Sequence, residues 1–183
     1  MKNEIKYNNP EVSPEKEPEI HFEIAKKDEE LKNKVMDLLH EYPEHFVHEL
    51  FEEAAEKDFE NSDIMVACQD DEIVGCLMFN RKINEFNWLA VSKKIKEPKT
   101  DIARRLFESF YPTIEQGTVV HFFVNTEDAY IPGNKSFSGK NFEAARKLYR
   151  SMGLELKKEN IVKNKYGRGS HAYKVAWKIE NDK

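Results

Sequence analysis

The chain predicts an α/β domain of the α+β type, with elements in the order strand, two helices, three strands, helix, strand, helix, two strands. Three observations carry that expectation. Apolar and polar residues alternate near both ends, in residues 20–25 and 171–179, with the period of a half-buried strand. Four stretches between them repeat apolar residues at helical spacing. Residues 119–124 (Val-Val-His-Phe-Phe-Val) are almost wholly apolar, as in a strand covered on both faces.

Residues 1–18 hold three of the seven prolines and few apolar side chains, so they are expected to form a flexible leader that cannot offset its own ordering entropy. The remaining residues, 19–183, fit one domain. After the first strand, Asp28 is a plausible N-cap for a helix carrying Leu31, Val35, Leu38 and Leu39 that stops before Pro43. Phe46, Leu50, Phe51 and Ala54 mark a second helix. Apolar runs 64–68 and 73–79 flank Gln69-Asp70-Asp71-Glu72 and read as a β-hairpin.

A strand over 86–91 then leads through a lysine-rich loop to a helix bearing Ile102, Leu106, Phe107, Phe110 and Ile114. The strand at 119–124 is followed by about fifteen residues, 126–140, with Pro132 and two glycines, long enough to suggest a working loop. Helix 142–152 places Ala145, Leu148, Tyr149 and Met152 on one stripe and stops at Gly153. Strands over 154–162 and 171–179 close the chain as a second hairpin around a glycine-containing turn.

The net charge of -5 argues against a basic face for nucleic acid. No apolar run approaches the roughly 20 residues that span a bilayer, and the first residues lack a secretory apolar segment, so a cytoplasmic protein without membrane contact is expected. Cys68 and Cys76, each inside an apolar run, read as reduced core residues.

Trp88-Leu89-Ala90-Val91 with Ile102-Ala103-Arg104-Arg105-Leu106, and separately the segment from Ala145 to Leu154, resemble the GNAT superfamily of acetyl-CoA-dependent N-acetyltransferases. Trp88-Leu89-Ala90-Val91, a loop and Ile102-Ala103-Arg104-Arg105-Leu106 resemble the family's fourth strand, pyrophosphate loop and third helix. Ala145-Arg146-Lys147-Leu148-Tyr149-Arg150-Ser151-Met152-Gly153-Leu154 is similar to its A-x-x-L-Y-x-x-x-G-F segment. The resemblance spans 20–179 and implies a mixed, mostly antiparallel central sheet of about seven strands flanked by about four helices. It implies acetyl-CoA as co-substrate, a small-molecule or peptide amine as acceptor, and a monomer or homodimer.

By the same resemblance, backbone groups of Leu89, Ala90 and Val91 hold the pantetheine arm. Lys99, Thr100, Asp101, Ile102, Ala103 and Arg104 surround the pyrophosphate, where a helix N-terminus offers unpaired N–H groups to an anion. Asn141, one position before the family's usual Asn, is a further donor contact. The loop departs from the family's Q/R-x-x-G-x-G/A, aligning as Pro98-x-x-Asp101-x-Ala103. Asp101 adds a Cβ and a negative charge, which Lys93, Lys94, Lys96, Lys99, Arg104 and Arg105 offset. Alternatively, Thr100 or Asp101 caps the helix and the lysines remain solvated.

Acetyl transfer needs a neutral amine, a polarised thioester carbonyl and a proton for the departing thiolate. By resemblance Tyr149 is the candidate general acid, and Glu85, opening the fourth strand, the candidate base. Tyr149 also reads as a core tyrosine and Glu85 as a surface charge. His121 reads as a neutral strand histidine, and a backbone N–H near Val91 as the oxyanion donor. The acceptor pocket is expected around Phe46, Tyr130 and Phe137. His40, His45 and His48 lack a third fixed ligand type, and no metal is expected. Two readings follow: an N-acetyltransferase acting by direct attack, or a catalytically impaired GNAT-fold module that binds acyl-CoA or regulates.

Overall fold

The computed structural model describes residues 19–45, 51–133, 135, 137–166 and 168–180. The expected leader and Phe46, His48 and Leu50 lie outside them. A seven-stranded mixed sheet in the order β1-β2-β3-β4-β5-β7-β6 carries α1 and α2 on one face and α3 and α4 on the other. The strands are β1 His21–Ile24, β2 Asp63–Gln69, β3 Glu72–Asn80, β4 Glu85–Val91, β5 Val119–Asn125, β6 Ile161–Val162 and β7 Ala172–Lys178. The helices are α1 Glu29–His40, α2 Phe51–Asn61, α3 Lys99–Phe110 and α4 Glu143–Ser151. Element order and sheet type are those expected.

Strand alternation divides the core. Ile64, Val66, Cys76 and Met78 face the α1 and α2 side, with Val35, Leu39, Ala55 and Phe59. Met65, Ala67, Leu77 and Phe79 face the α3 and α4 side, where Phe86, Phe107, Phe110, Phe122 and Tyr149 form an aromatic cluster. Asp28 caps α1 as expected, its carboxylate accepting from Leu31 N at 2.8 Å. Asp70 and Asp71 take φ of 50° and 65°, the left-handed pair that a two-residue hairpin turn requires.

Several boundaries differ. The second helix runs on to Asn61 and buries Ala55 and Phe59, while Ala54 is exposed. Ile114 lies beyond α3, after a 3-10 turn Tyr111–Thr113, because Pro112 has no N–H to continue the helix. The strand expected over 154–162 shrinks to Ile161–Val162, preceded by a 3-10 turn at Lys158–Asn160. That segment carries five charged side chains (Glu155, Lys157, Lys158, Glu159 and the adjoining Lys163), so only its last two residues offer β7 an apolar edge.

Candidate functional site

The central feature of the sheet is a single extra residue. Against β3, Phe79 pairs with Phe86 and Met78 with Trp88, so Asn87 is a β-bulge on β4. Parallel pairing of β4 with β5 stops at the same place, after Glu85 with His121 and Phe86 with Phe122. A bulge bends its strand and increases local twist, which turns β4 away from β5. From residue 87 onward the two strands splay.

The splay exposes backbone in a defined pattern. Ser92 N reaches back to Val74 O on β3 at 2.8 Å, so strand alternation turns the N–H and C=O of Val91 and Leu89 toward β5, and those of Ala90 toward β3. A narrow cavity of about 20 Å³ lies there, lined by Phe86, Asn87, Trp88, Leu89, Phe123 and Tyr149 among others. It holds about one water, so any substrate arm entering must part these side chains. Asn87 Oδ1 is buried without a hydrogen-bond partner among the described residues. A buried, unsatisfied acceptor costs about 1–3 kcal/mol, and here it sits in the cleft wall.

Tyr149 projects from α4 into this cleft. Its ring stacks on Phe122 at 4.9 Å and meets Phe107 at 6.2 Å, and burial raises the hydroxyl's pKa, holding it protonated. Glu85 stands where β4 and β5 still pair, half-buried, with Lys165 Nζ at 3.5 Å. Lys165 also lies 3.8 Å above the Phe123 ring. Tyr166 exposes 46% of its surface, yet burial at its hydroxyl end, then Glu85, Tyr149 and Asp58, raise its pKa. Asp58 accepts from Trp88 Nε1 at 2.7 Å. Glu85, Tyr149 and Asp58 thus converge electrostatically on the Tyr166 hydroxyl.

Tyr166, Lys165 and Asp58 were not candidates from sequence. The signal for Tyr166 was an aromatic in the turn of the terminal hairpin. His121 Nδ1 is buried without a partner among the described residues, and burial lowers the ring's pKa, which favours the neutral form expected.

The loop expected to meet a pyrophosphate is differently arranged at its two ends. At the start, Tyr42 donates to Val91 O at 2.5 Å, and the Glu41 carboxylate accepts from Lys93 N at 2.5 Å and Ser92 Oγ at 3.0 Å. The backbone there is already engaged. At the far end, α3 follows Pro98 with no side-chain cap, so neither Thr100 nor Asp101 caps it. Asp101 and Ile102 N both reach Pro98 O, while Lys99 and Thr100 N–H have no acceptor among the described residues.

Asp101 is paired with Arg104 at 2.9 Å, which neutralises the added charge locally. Lys93 pairs with Glu44, and Lys94 and Arg105 lie 4.0 Å from Glu41 and Glu97. Lys96 and Lys99 are exposed and without an ionic partner among the described residues. Ile102 and Ala103 are buried against the sheet. The free cations and open amides therefore coincide at the α3 N-terminus.

Segment 126–140 is anchored by buried Thr126, Ala129, Phe137 and Gly139, while Tyr130, Pro132 and Gly133 are exposed. Arg146, on α4, is buried and donates to Asn125 O at 2.7 Å and Gly139 O at 2.8 Å, while its Nε lies 3.2 Å from Glu127. A Cβ on Gly139 would sit 1.9 Å from Thr126 O, so only glycine permits the loop to close on itself. Phe137 is buried against Phe142 at 5.8 Å, and Tyr130 is exposed. Asn141 donates to Glu44 O at 3.3 Å, and His45 stacks on Phe142 at 4.8 Å, which ties the 42–45 segment to the start of α4. A larger hollow of about 340 Å³ beside Trp177 is lined by the paired Glu155 and Lys157 and contains none of the converging groups above.

Solved structures share this fold. The aminoglycoside 6'-N-acetyltransferase from Enterococcus faecium superposes with a TM-score of 0.60 at 16% identity, covering 89% of this chain and 99% of that one. The ribosomal-protein-S18-alanine N-acetyltransferase from Escherichia coli gives 0.60 at 16%, covering 90% and 97%. The fold is that of the GNAT acetyltransferases. An aminoglycoside 6'-N-acetyltransferase complexed with coenzyme A matches equally, at 0.60 and 15% identity over 89% and 99%. No protein-family model matches the sequence, and neither does any curated protein. The GNAT likeness is therefore one of fold, with little of it in the sequence.

Proposed function

We propose that the chain is an acetyl-CoA-dependent N-acetyltransferase that moves acetyl to a primary amine of a small molecule or peptide by direct attack. The observation that carries the reading is the Asn87 bulge, which ends β4–β5 pairing and turns Leu89 and Val91 backbone groups into a cleft beside Tyr149. A structural neighbour was crystallised with coenzyme A, and the uncapped α3 amides with Lys96 and Lys99 fit a pyrophosphate.

In this reading Glu85, directly or through water, takes a proton from the attacking amine as its nitrogen bonds to the thioester carbon. The carbon–sulfur bond breaks, and Tyr149 passes its proton to the departing thiolate. Lys165 lies 3.5 Å from the Glu85 carboxylate and orients it, and a Leu89 or Val91 N–H meets the carbonyl oxygen. Two free, buried cysteines suit a reducing compartment, and we assign the cytoplasm on that ground. Among the described residues no helix is long and apolar enough to cross a membrane.

One observation favours the second reading, a GNAT-fold module without catalysis: Tyr42 already occupies the Val91 carbonyl and the loop lacks the family's glycines. Thermal melting with acetyl-CoA and an amine panel scored for free thiol separate the two. Donor at 100 times its Kd stabilises by about 2.7 kcal/mol. A melting shift with no thiol release for any amine would favour the module, and no shift at millimolar donor would defeat the enzyme and the acyl-CoA-binding module alike.

A further inference from the structure

We propose that His21, Glu23 and Cys68 form a binding site for a zinc-class transition-metal ion at the β1 edge of the sheet, remote in sequence from the splay and its residues. One nitrogen, one carboxylate oxygen and one sulfur from these side chains all lie within 4.8 Å of one another. The strands that carry them are rigidly paired: His21 stands directly opposite Cys68, and Glu23 opposite Val66. Residues i and i+2 of a strand share a face, so His21 and Glu23 project on the side of Cys68. The register alone brings three ligand types together.

The donor set selects the ion. Thiolate with imidazole and carboxylate suits zinc or cobalt, whereas magnesium and calcium take oxygen ligands. Around a tetrahedral zinc, with bonds of about 2.0–2.3 Å, donor atoms stand roughly 3.3–3.8 Å apart. Closing from 4.8 Å requires about an ångström of side-chain rotation, which exposed His21 and Glu23 have room to make. Three protein ligands leave the fourth position to solvent. Binding displaces the Cys68 thiol proton to solvent, one proton per ion.

The neighbouring charges do not forbid this. Lys34 of α1 faces Cys68 but is held by Glu30 at 2.7 Å, and Asp71 adds negative charge from the hairpin turn. β1 has only four residues, so an ion bridging it to β2 would pin a short edge strand of the sheet. The expectation of a metal-free chain rested on His40, His45 and His48, none of which belongs to this cluster.

The chain has two cysteines, and Cys76 is fully buried away from the edge, so a thiolate–metal band reports Cys68. Cobalt(II) titrated into the full chain in thiol-free buffer should give a near-ultraviolet charge-transfer band saturating at one equivalent, with tetrahedral visible bands, all displaced by zinc. Cys68→Ser should abolish the charge-transfer band. Glu23→Gln, an exposed change that leaves folding intact, should weaken cobalt binding at least tenfold and shrink the rise in melting temperature that zinc gives the wild type. No band at millimolar cobalt, a band that survives Cys68→Ser, or unchanged affinity in Glu23→Gln would overturn the site.

Discussion

The sheet is held together differently on the two sides of β4. Toward β3 it forms a continuous antiparallel ladder from Glu85 to Val91, interrupted only at Asn87, and β5 joins β7 over seven residue pairs. Between β4 and β5 only two pairs form. What closes that seam is aromatic packing: Phe122 touches Phe86 and Phe107 at 5.9 Å each and Tyr149 at 4.9 Å. Backbone bonding is given up where a ligand would need it, and side-chain burial replaces it underneath.

The largest test of that contrast is Phe122→Ala. Phe122 is 1% exposed, and its removal is expected to cost about 3–5 kcal/mol, read by chemical denaturation. A loss under 1 kcal/mol would mean the ladders alone hold the two halves. Next comes Tyr149→Phe, which keeps the seam's packing and removes only the hydroxyl. Acetyl transfer should fall about 100-fold, near 2.7 kcal/mol in the barrier, with denaturation little changed. Unaltered turnover would return Tyr149 to a purely packing role.

A smaller effect is expected where the 42–45 segment straps the end of β4. Burial, then Glu41 and Glu44, push the Tyr42 hydroxyl up to about 12, so it stays a donor to Val91 O. Tyr42→Phe should cost about 1 kcal/mol, and the donor KM should respond because the freed carbonyl faces the splay. An unchanged KM would separate that carbonyl from donor binding.

The smallest effect is in pH. Burial, reinforced by Lys174, holds His121 below its usual 6.5, against an opposing pull from Glu85. The unfolded chain therefore binds a proton that the folded one refuses, and stability falls as pH drops below 6.5 toward the folded value. His121→Gln should flatten that decline in denaturation curves; an unchanged slope would assign it to other groups.

The elements were legible because their signals are local. Asp28 names a cap, Asp70-Asp71 a tight turn, and Gly153, at φ 78°, a helix stop. The site was legible only in part. Tyr149 and Glu85 are candidates by resemblance, but Tyr166 reaches them from a turn whose sequence shows only that it bends. Arg146 puts a charge beside the apolar stripe of α4, yet it is buried because Asn125 at the end of β5 and Gly139 before α4 give it two carbonyls. The strand at 154–162 failed for the opposite reason, its apolar residues being too few to pair along its length.

By itself, then, the sequence determined the order of strands and helices, the hairpin at 70–71 and the apolar stripes that cover both faces, since each depends on residues a few positions apart. Tertiary structure alone decided that β4 bulges at Asn87, that β5 leaves it there, and that Glu85, Asp58 and Tyr149 come within electrostatic reach of Tyr166. Those outcomes depend on how a strand registers against neighbours distant in the chain. Nothing in Glu-Phe-Asn-Trp-Leu-Ala-Val marks which residue will be the extra one until β3 is laid beside it.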